Sequence, residues 1–250
     1  MKKIAALLIC LHASVGGADP APSPWPEGRK AAIALTYDDS ARSQLDIAIP
    51  QLDAVELKGT FFLSGNQIGK EVPRWRAAAA AGHELANHTV NHPCARGTYE
   101  MPAQYTSQSY SVEVLLAEIR TMESLLQALD GKAIHAFAPP CDQSLAGGKD
   151  YLAPLHQAGT ASFIRHTRFM PPQVSYIGFD GTGSAEMIAW VKGVVRRGGT
   201  GVIVFHGVGG DHLSVTADAH RQLLDYLRAH RDEIWTAPLS EVMARAAAKD

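Results

Sequence analysis

"AAIALTYDDS", residues 31–40, is the stretch whose reading decides the fold. An uncharged, strand-forming run ends abruptly in two adjacent carboxylates, Asp38 and Asp39. A short apolar run bounded by a polar break reads as a buried strand. Two negative charges side by side at the end of such a strand repel each other. Either they belong to an ordinary solvated turn, or a positive group lies between them.

Outward from this strand, helix and strand patterns alternate. On its N-terminal side "DPAPSPWPEGR" carries four prolines, so residues 19–30 read as an extended lead-in. On its C-terminal side, residues 41–56 are a helix candidate that Pro50 kinks or breaks. Further helix candidates cover 73–82, 111–131, 149–159, 184–199, 216–230 and 239–248. The longest, 111–131, stops at Gly131, as a helix does where a left-handed residue is needed. Strand candidates lie at 58–63, 83–88, 133–140, 161–166, 173–179, 201–207 and 233–237. Strands alternating with helices imply a parallel α/β architecture. Some seven or eight such units favour a (β/α) barrel over an open sheet. No linker interrupts 31–250, so this span reads as one domain without internal repeats.

Composition agrees with a folded domain: 46% of the residues are hydrophobic and 19% are charged. A net charge of −2 supplies no basic excess for phosphates, so nucleic acid is not an expected partner. The N-terminus has Lys2 and Lys3, an apolar run from Ile4 to Leu11, and small residues up to Ala18. This is the pattern of a secretory signal peptide, residues 1–18, too short to span a bilayer. It predicts a secreted or periplasmic protein with no transmembrane segment after cleavage. Cleavage would remove Cys10 and leave Cys94 and Cys141, which either pair or remain buried thiols.

In a parallel α/β barrel the reactive groups gather at the C-terminal ends of the strands. Asp38 and Asp39, then His88 and His92, then Pro139, Pro140, Cys141 and Asp142, then His206 all fall at such ends. The His-x-x-x-His spacing suits one helical face, but Thr89 stands where a zinc protease carries its Glu. A carboxylate with two imidazoles is an open ligand set for a divalent cation. A second carboxylate can take a proton from water and a further His can protonate a leaving group. Such a site would hydrolyse an amide or ester.

"TYDDS" (36–40), "HTVNH" (88–92), "APPC" (138–141) and "VIVFH" (202–206), in this order, resemble the successive motifs of the polysaccharide deacetylase family, the NodB-homology or carbohydrate esterase 4 type. "GHELANHTVNHP" is similar to that family's metal-binding stretch over its whole length. The resemblance covers roughly 31–240 and implies a distorted (β/α) barrel of the glycoside hydrolase/deacetylase type. It further implies removal of N- or O-acetyl groups from a poly- or oligosaccharide. The implied cofactor is a divalent metal, with Zn2+ foremost and Co2+, Ni2+ or Mn2+ as substitutes. Carried over by position, it makes Asp38 the catalytic base, Asp39, His88 and His92 the metal ligands, and His206 the general acid. The backbone N–H of Cys141 falls at an oxyanion position, and Tyr37, Pro140 and Arg165 are expected beside it as cleft-lining residues.

The chain departs from the family pattern where an Arg should begin the third motif and orient the base: Ala138 stands there. Arg165 or Arg168 could supply the charge. The fourth motif, an Asp and Trp pattern, is not recognisable. Cys94, two residues beyond His92, and Cys141, in the third-motif loop, are expected to form a disulfide bracing the cleft rim. "HGVGGDHLS" (206–214) reads as a strand-to-helix turn from which Asp211 and His212 could reach back. Tyr99, Tyr105 and Tyr110 lie in a loop and offer either sugar stacking or loop packing. Two other functions fit less of the pattern: hydrolysis of a non-sugar amide or imide, which the altered third motif would allow, and non-catalytic sugar binding.

Overall fold

The computed structural model describes residues 23 and 25–247; the expected signal peptide and residues 19–22 and 24 of the lead-in lie outside the described residues. β1 (Ala31–Asp38) is buried along its whole length. Ile33, Leu35 and Tyr37 pack into an outer cluster shared with the helices, while Ala32 and Ala34 belong to a separate inner cluster. A strand with both faces buried requires a sheet covered on both sides, which parallel sheets provide. The other strands are β2 (Thr60–Leu63), β3 (Glu84–Asn87), the small antiparallel pair β4 (Leu145–Ala146) and β5 (Lys149–Asp150), β6 (Val174–Gly178), β7 (Thr200–Phe205) and β8 (Ile234–Thr236).

The sheet order is β3-β2-β1-β7-β6, with every pair parallel. β2 pairs with residues 36–38 of β1, and β8 pairs with residues 31–33 below it. Beyond β3 the wall continues through single parallel bridges, Asn87 to Phe137 and Phe137 to Ile164. The expected strands 133–140 and 161–166 are therefore reduced to one bridged position each. Pro139 and Pro140 end the first of them because proline has no N–H to donate to a ladder. Among the described residues no ladder joins Ile164 to β6, so the barrel is distorted and open at that seam. Its interior is narrow, lined by Ala32, Ala34, Ala86, Ala136 and Ala138 with Phe62.

Eight helices surround these strands among the described residues: α1 (Ile49–Ala54), α2 (Gly65–Ile68), α3 (Val72–Ala80), α4 (Val112–Asp130), α5 (Leu152–Gln157), α6 (Ser184–Arg197), α7 (Ala217–Ala229) and α8 (Leu239–Ala247). α4 starts where the Ser111 hydroxyl accepts from the Val114 amide and ends at Gly131, φ 81°, the one residue type without a steric penalty there. Pro50 does not break the chain's helical course. A π-helical turn over Gln44–Ala48 runs directly into α1, with Pro50 in its first turn where the missing N–H costs least. α8 packs against the inner cluster through Leu239, Val242 and Met243 and covers it.

Candidate metal centre and active-site cleft

Alternation along β1 sends Asp38 into the barrel and turns Asp39 onto its mouth, where Asp39 and Ser40 adopt left-handed backbone, φ 73° and 55°. Such conformations in non-glycine residues persist only where neighbours hold them, and they concentrate at functional sites. Here the Ser40 hydroxyl accepts from the Ser64 amide at 2.9 Å, tying the end of β1 to that of β2. The Gln44 side-chain amide donates to the backbone carbonyls of Asp38 and His206, joining the ends of β1 and β7.

His88 and His92 reach the same point from the loop after β3. The loop is not helical: Thr89 and His92 have φ of 66° and 54°. The Asn87 side-chain oxygen accepts from the Thr89 amide, and the Thr89 hydroxyl accepts from the His92 amide, each at 3.0 Å. From α4, the Glu118 carboxylate accepts from the amides of Val90 (3.1 Å) and Asn91 (2.8 Å). His88 Nδ1 donates to the Ala138 carbonyl at 2.7 Å. His92 Nδ1 donates to the Tyr99 hydroxyl at 3.1 Å, and that hydroxyl donates to the His92 carbonyl at 3.0 Å. With both Nδ1 protons engaged, each Nε2 presents a lone pair.

Those lone pairs face Asp39 Oδ1, at 3.2 Å from His88 Nε2 and 2.9 Å from His92 Nε2. Asp39 Oδ1 is buried without a hydrogen-bond partner. Three electron-pair donors converging within 4.8 Å of one another, with nothing positive among them, fit a divalent cation. Burial disfavours ionisation of Asp39, yet the hydrogen bond from His212 holds its carboxyl far below the usual range.

Asp38 is buried, and its partner is Arg165. Both terminal nitrogens of that guanidinium donate to the two carboxylate oxygens, one at 2.8 Å, and the first also donates to Thr36 Oγ1 at 2.8 Å. The guanidinium lies over the Phe62 ring, 4.3 Å from its centre. Burial raises the Asp38 carboxyl, but the Arg165 guanidinium outweighs it and keeps the group below its ordinary value. The bridge from Phe137 to Ile164 puts Arg165 level with Ala138 on the neighbouring wall segment. The charge expected at 138 thus arrives from one segment further round. Arg168 is exposed and pairs with Asp150 instead.

His206 follows β7, with Nε2 3.9 Å from Asp39 Oδ2. Burial holds its imidazole below the ordinary value against the pull of Asp38 and Asp39. Cys141, φ 51°, lines the cleft, and its amide donates to no protein acceptor among the described residues. Cys94 and Cys141 form a disulfide, Cα atoms 5.6 Å apart, so neither sulfur is a free thiolate for metal. Two expected lining residues do not line the cleft. Tyr37 points outward, fully buried, with its hydroxyl 2.8 Å from His220 Nε2, because residue 37 alternates away from 38. Pro140 is buried and does not reach the cavity, which its neighbours Pro139 and Cys141 line.

The sequence assigns His212 no role, although it offers Asp211 and His212 as residues that could reach back to the cleft. His212 does fold back, its Nε2 2.7 Å from Asp39 Oδ2. Tyr99 lines the cleft, whereas Tyr110 packs inward with its hydroxyl on Glu118 at 2.6 Å. Together these groups border a cavity of about 1090 Å3.

The fold and the site define a hydrolase scaffold with a carboxylate–imidazole set able to hold a metal beside an arginine-held carboxylate. The polysaccharide deacetylase family model matches residues 26–158, and the chain belongs to that family. A peptidoglycan-N-acetylglucosamine deacetylase of Bacillus cereus is 26% identical over 212 residues, covering 84% of this chain and 68% of that protein. Two other curated relatives align over shorter stretches, and the chain spans only 4% and 15% of their lengths. Among solved structures, the Bc1960 peptidoglycan N-acetylglucosamine deacetylase superposes with a TM-score of 0.60 at 21% identity, over 89% of this chain and 97% of that one. A family 4 acetyl xylan esterase from Clostridium thermocellum, in complex with a cobalt ion, gives 0.58 at 20% identity, over 85% and 90%.

Proposed function

We propose that this chain is a divalent-metal-dependent deacetylase that hydrolyses acetyl groups from a carbohydrate. The observation that carries the reading is the convergence of Asp39, His88 and His92 on one point beside the buried Asp38–Arg165 pair. Asp39, His88 and His92 would hold the cation, which would supply Lewis acidity beside Asp38. A His2Asp set suits zinc first, and cobalt, nickel or manganese also accept it.

This chain's own residues complete the step. Asp38, kept ionised by Arg165, accepts the proton of the attacking water. The Cys141 amide donates to the oxygen of the tetrahedral adduct. Protonated His206 gives its proton to the departing nitrogen or oxygen as that bond to the acyl carbon breaks, leaving acetate and the free amine or hydroxyl. Tyr99, exposed on the rim, offers an aromatic face to a sugar ring. The likeness to both a peptidoglycan deacetylase and an acetyl xylan esterase supports an acetylated glycan and leaves the choice of N- or O-acetyl to measurement. Ala138 does not argue for a non-sugar amide, because Arg165 supplies the guanidinium. The signal-peptide pattern at residues 1–18 and the Cys94–Cys141 disulfide support export to an oxidising compartment.

The test is metal content with acetate release from chitooligosaccharides, acetylxylan and peptidoglycan. Asp39→Ala, His88→Ala and His92→Ala should each lose the ion and nearly all turnover. Folded variants that keep both would overturn the reading.

A further inference from the structure

Asp39 is held from two sides. Its Oδ1 faces His88 and His92, while its Oδ2 is 2.7 Å from Nε2 of His212. His88 and His92, with their Nδ1 protons engaged elsewhere, face Oδ1 with lone pairs, whereas His212 Nε2 stands at direct N–H to carboxylate hydrogen-bond distance from Oδ2. His212 comes from the loop after β7, the same loop that begins with His206.

That loop is built to present the imidazole. Val208 and Val215 bridge its two arms, and the Gly207 amide donates to the His212 carbonyl at 3.1 Å. A Cβ on Gly207 would collide with the Gly210 carbonyl oxygen, so only glycine permits this closure. Asp211 and Leu213, on either side of His212, both have left-handed backbone, φ 64° and 44°. The Asp211 carboxylate accepts from the Ser43 amide at 2.7 Å, and the Ser43 hydroxyl donates to the Gly210 carbonyl at 3.3 Å. The Val208 amide donates to the same hydroxyl at 3.1 Å. The loop is thus clamped to the turn that follows Asp39. An incidental surface ion pair would need none of this.

We infer that His212 is a positioning residue that holds Asp39 Oδ2 by a hydrogen bond, so that Oδ1 alone is offered to the divalent cation. Without that bond the carboxylate can swing about its last torsion and present either oxygen or both. Outer partners of this kind govern metal affinity because they fix the ligand before the ion arrives. The inference rests on the reading of Asp39, His88 and His92 as the ligand set.

Cobalt(II) titration of the full chain tests it, with affinity measured against a competing chelator and the visible absorption band recorded. Wild type should bind one ion. His212→Ala should remain folded, since the side chain sits at the exposed mouth, and should bind about 10- to 100-fold more weakly. His212→Gln, whose amide can donate to Oδ2, should recover most of that loss with an unchanged band. In an Asp39→Asn background, His212→Ala should have little further effect, because its action passes through the carboxylate. Equal affinity in wild type and His212→Ala would overturn the inference. So would a second bound ion lost with His212, or a band altered in both variants, since either makes His212 a ligand itself. Wild type that binds no cobalt overturns the ligand-set reading along with it, and only that outcome does so.

Discussion

Asp38, the proposed base, and Arg165 form a buried pair, and the pair is asymmetric. Asp38 is set by the alternation of β1, which any strand ending in Asp-Asp provides. Arg165 is set by register, because the single bridge from Phe137 to Ile164 makes it the neighbour of Ala138. Removing the guanidinium leaves a buried carboxylate unpaired, which costs about 3–5 kcal/mol in comparable pairs. Arg165→Ala should therefore lower stability by roughly that amount and turnover by on the order of 100-fold or more, as loss of a poised base does. Because residues 138 and 165 lie level on adjacent wall segments, Ala138→Arg should restore part of the turnover in the Arg165→Ala background. Initial rates of acetate release and urea unfolding of the three proteins check this. A double variant no better than Arg165→Ala would show that the two positions are not equivalent. The candidate ligands were legible because Asp39 lies in one recognisable short motif, 36–40, and His88 and His92 in another, 88–92. The donor to Asp38 was legible only as a choice between Arg165 and Arg168, since a long-range register decided it.

At the scale of elements, strands and helices were read where one segment carries its own signal, as with α4 between Ser111 and Gly131. They were misread where neighbours decide. Residues 133–140 and 161–166 look like full strands, but the open seam beside them leaves only one bridged position in each. The His88–His92 spacing looks helical, but Glu118 on α4 takes the loop amides that a helix would use internally. A similar long-range arrangement seats α8. Glu84 at the start of β3 is buried, and its carboxylate accepts from the Thr60 hydroxyl at 2.7 Å, from the Ser240 amide at 3.2 Å and from the Ser240 hydroxyl. Negative charge at the first turn of α8 also opposes the positive end of the helix dipole. Hydrogen bonds to a charged group contribute about 1.5–3 kcal/mol, and orphaned buried donors add to the loss. Glu84→Ala should lower unfolding free energy by about 3 kcal/mol, while Glu84→Gln, which keeps the shape, should cost about half as much. Urea unfolding separates the two, and equal losses would mean that charge at this helix start has no part in seating α8.

For the molecule as a whole, a barrel wrapped by helices must bury both faces of its strands, and several histidines are caught in that layer. His220 on α7 is fully buried, its Nδ1 donating to Gln51 at 2.6 Å and its Nε2 accepting from the Tyr37 hydroxyl at 2.8 Å. Burial pushes its pKa down to about 3, and burial likewise pushes His83, beside Asp53, down to about 4. In the unfolded chain both titrate near 6.5. Between those values the unfolded chain binds more protons than the folded one, so stability rises with pH across the window. Their contribution is complete above about pH 6.5 and is lost as pH falls from there toward 4 and then 3. His135 runs the opposite way. It lies between Glu123 (2.6 Å) and Asp130 (3.1 Å), which raise its pKa against burial, so its stabilisation is present at low pH and lost above that raised value. Taking pH from 7 to 5 should therefore cost about 2 kcal/mol for each of His220 and His83 as an upper bound, partly masked by His135. His220→Gln keeps a buried hydrogen-bonding group that does not titrate. It should flatten the dependence of unfolding free energy on pH by up to one proton between pH 6.5 and 4, whatever it costs at pH 8. Urea unfolding at half-unit pH steps, with metal removed throughout, measures that slope, and an unchanged slope in His220→Gln would show that His220 already carries a proton in the folded chain.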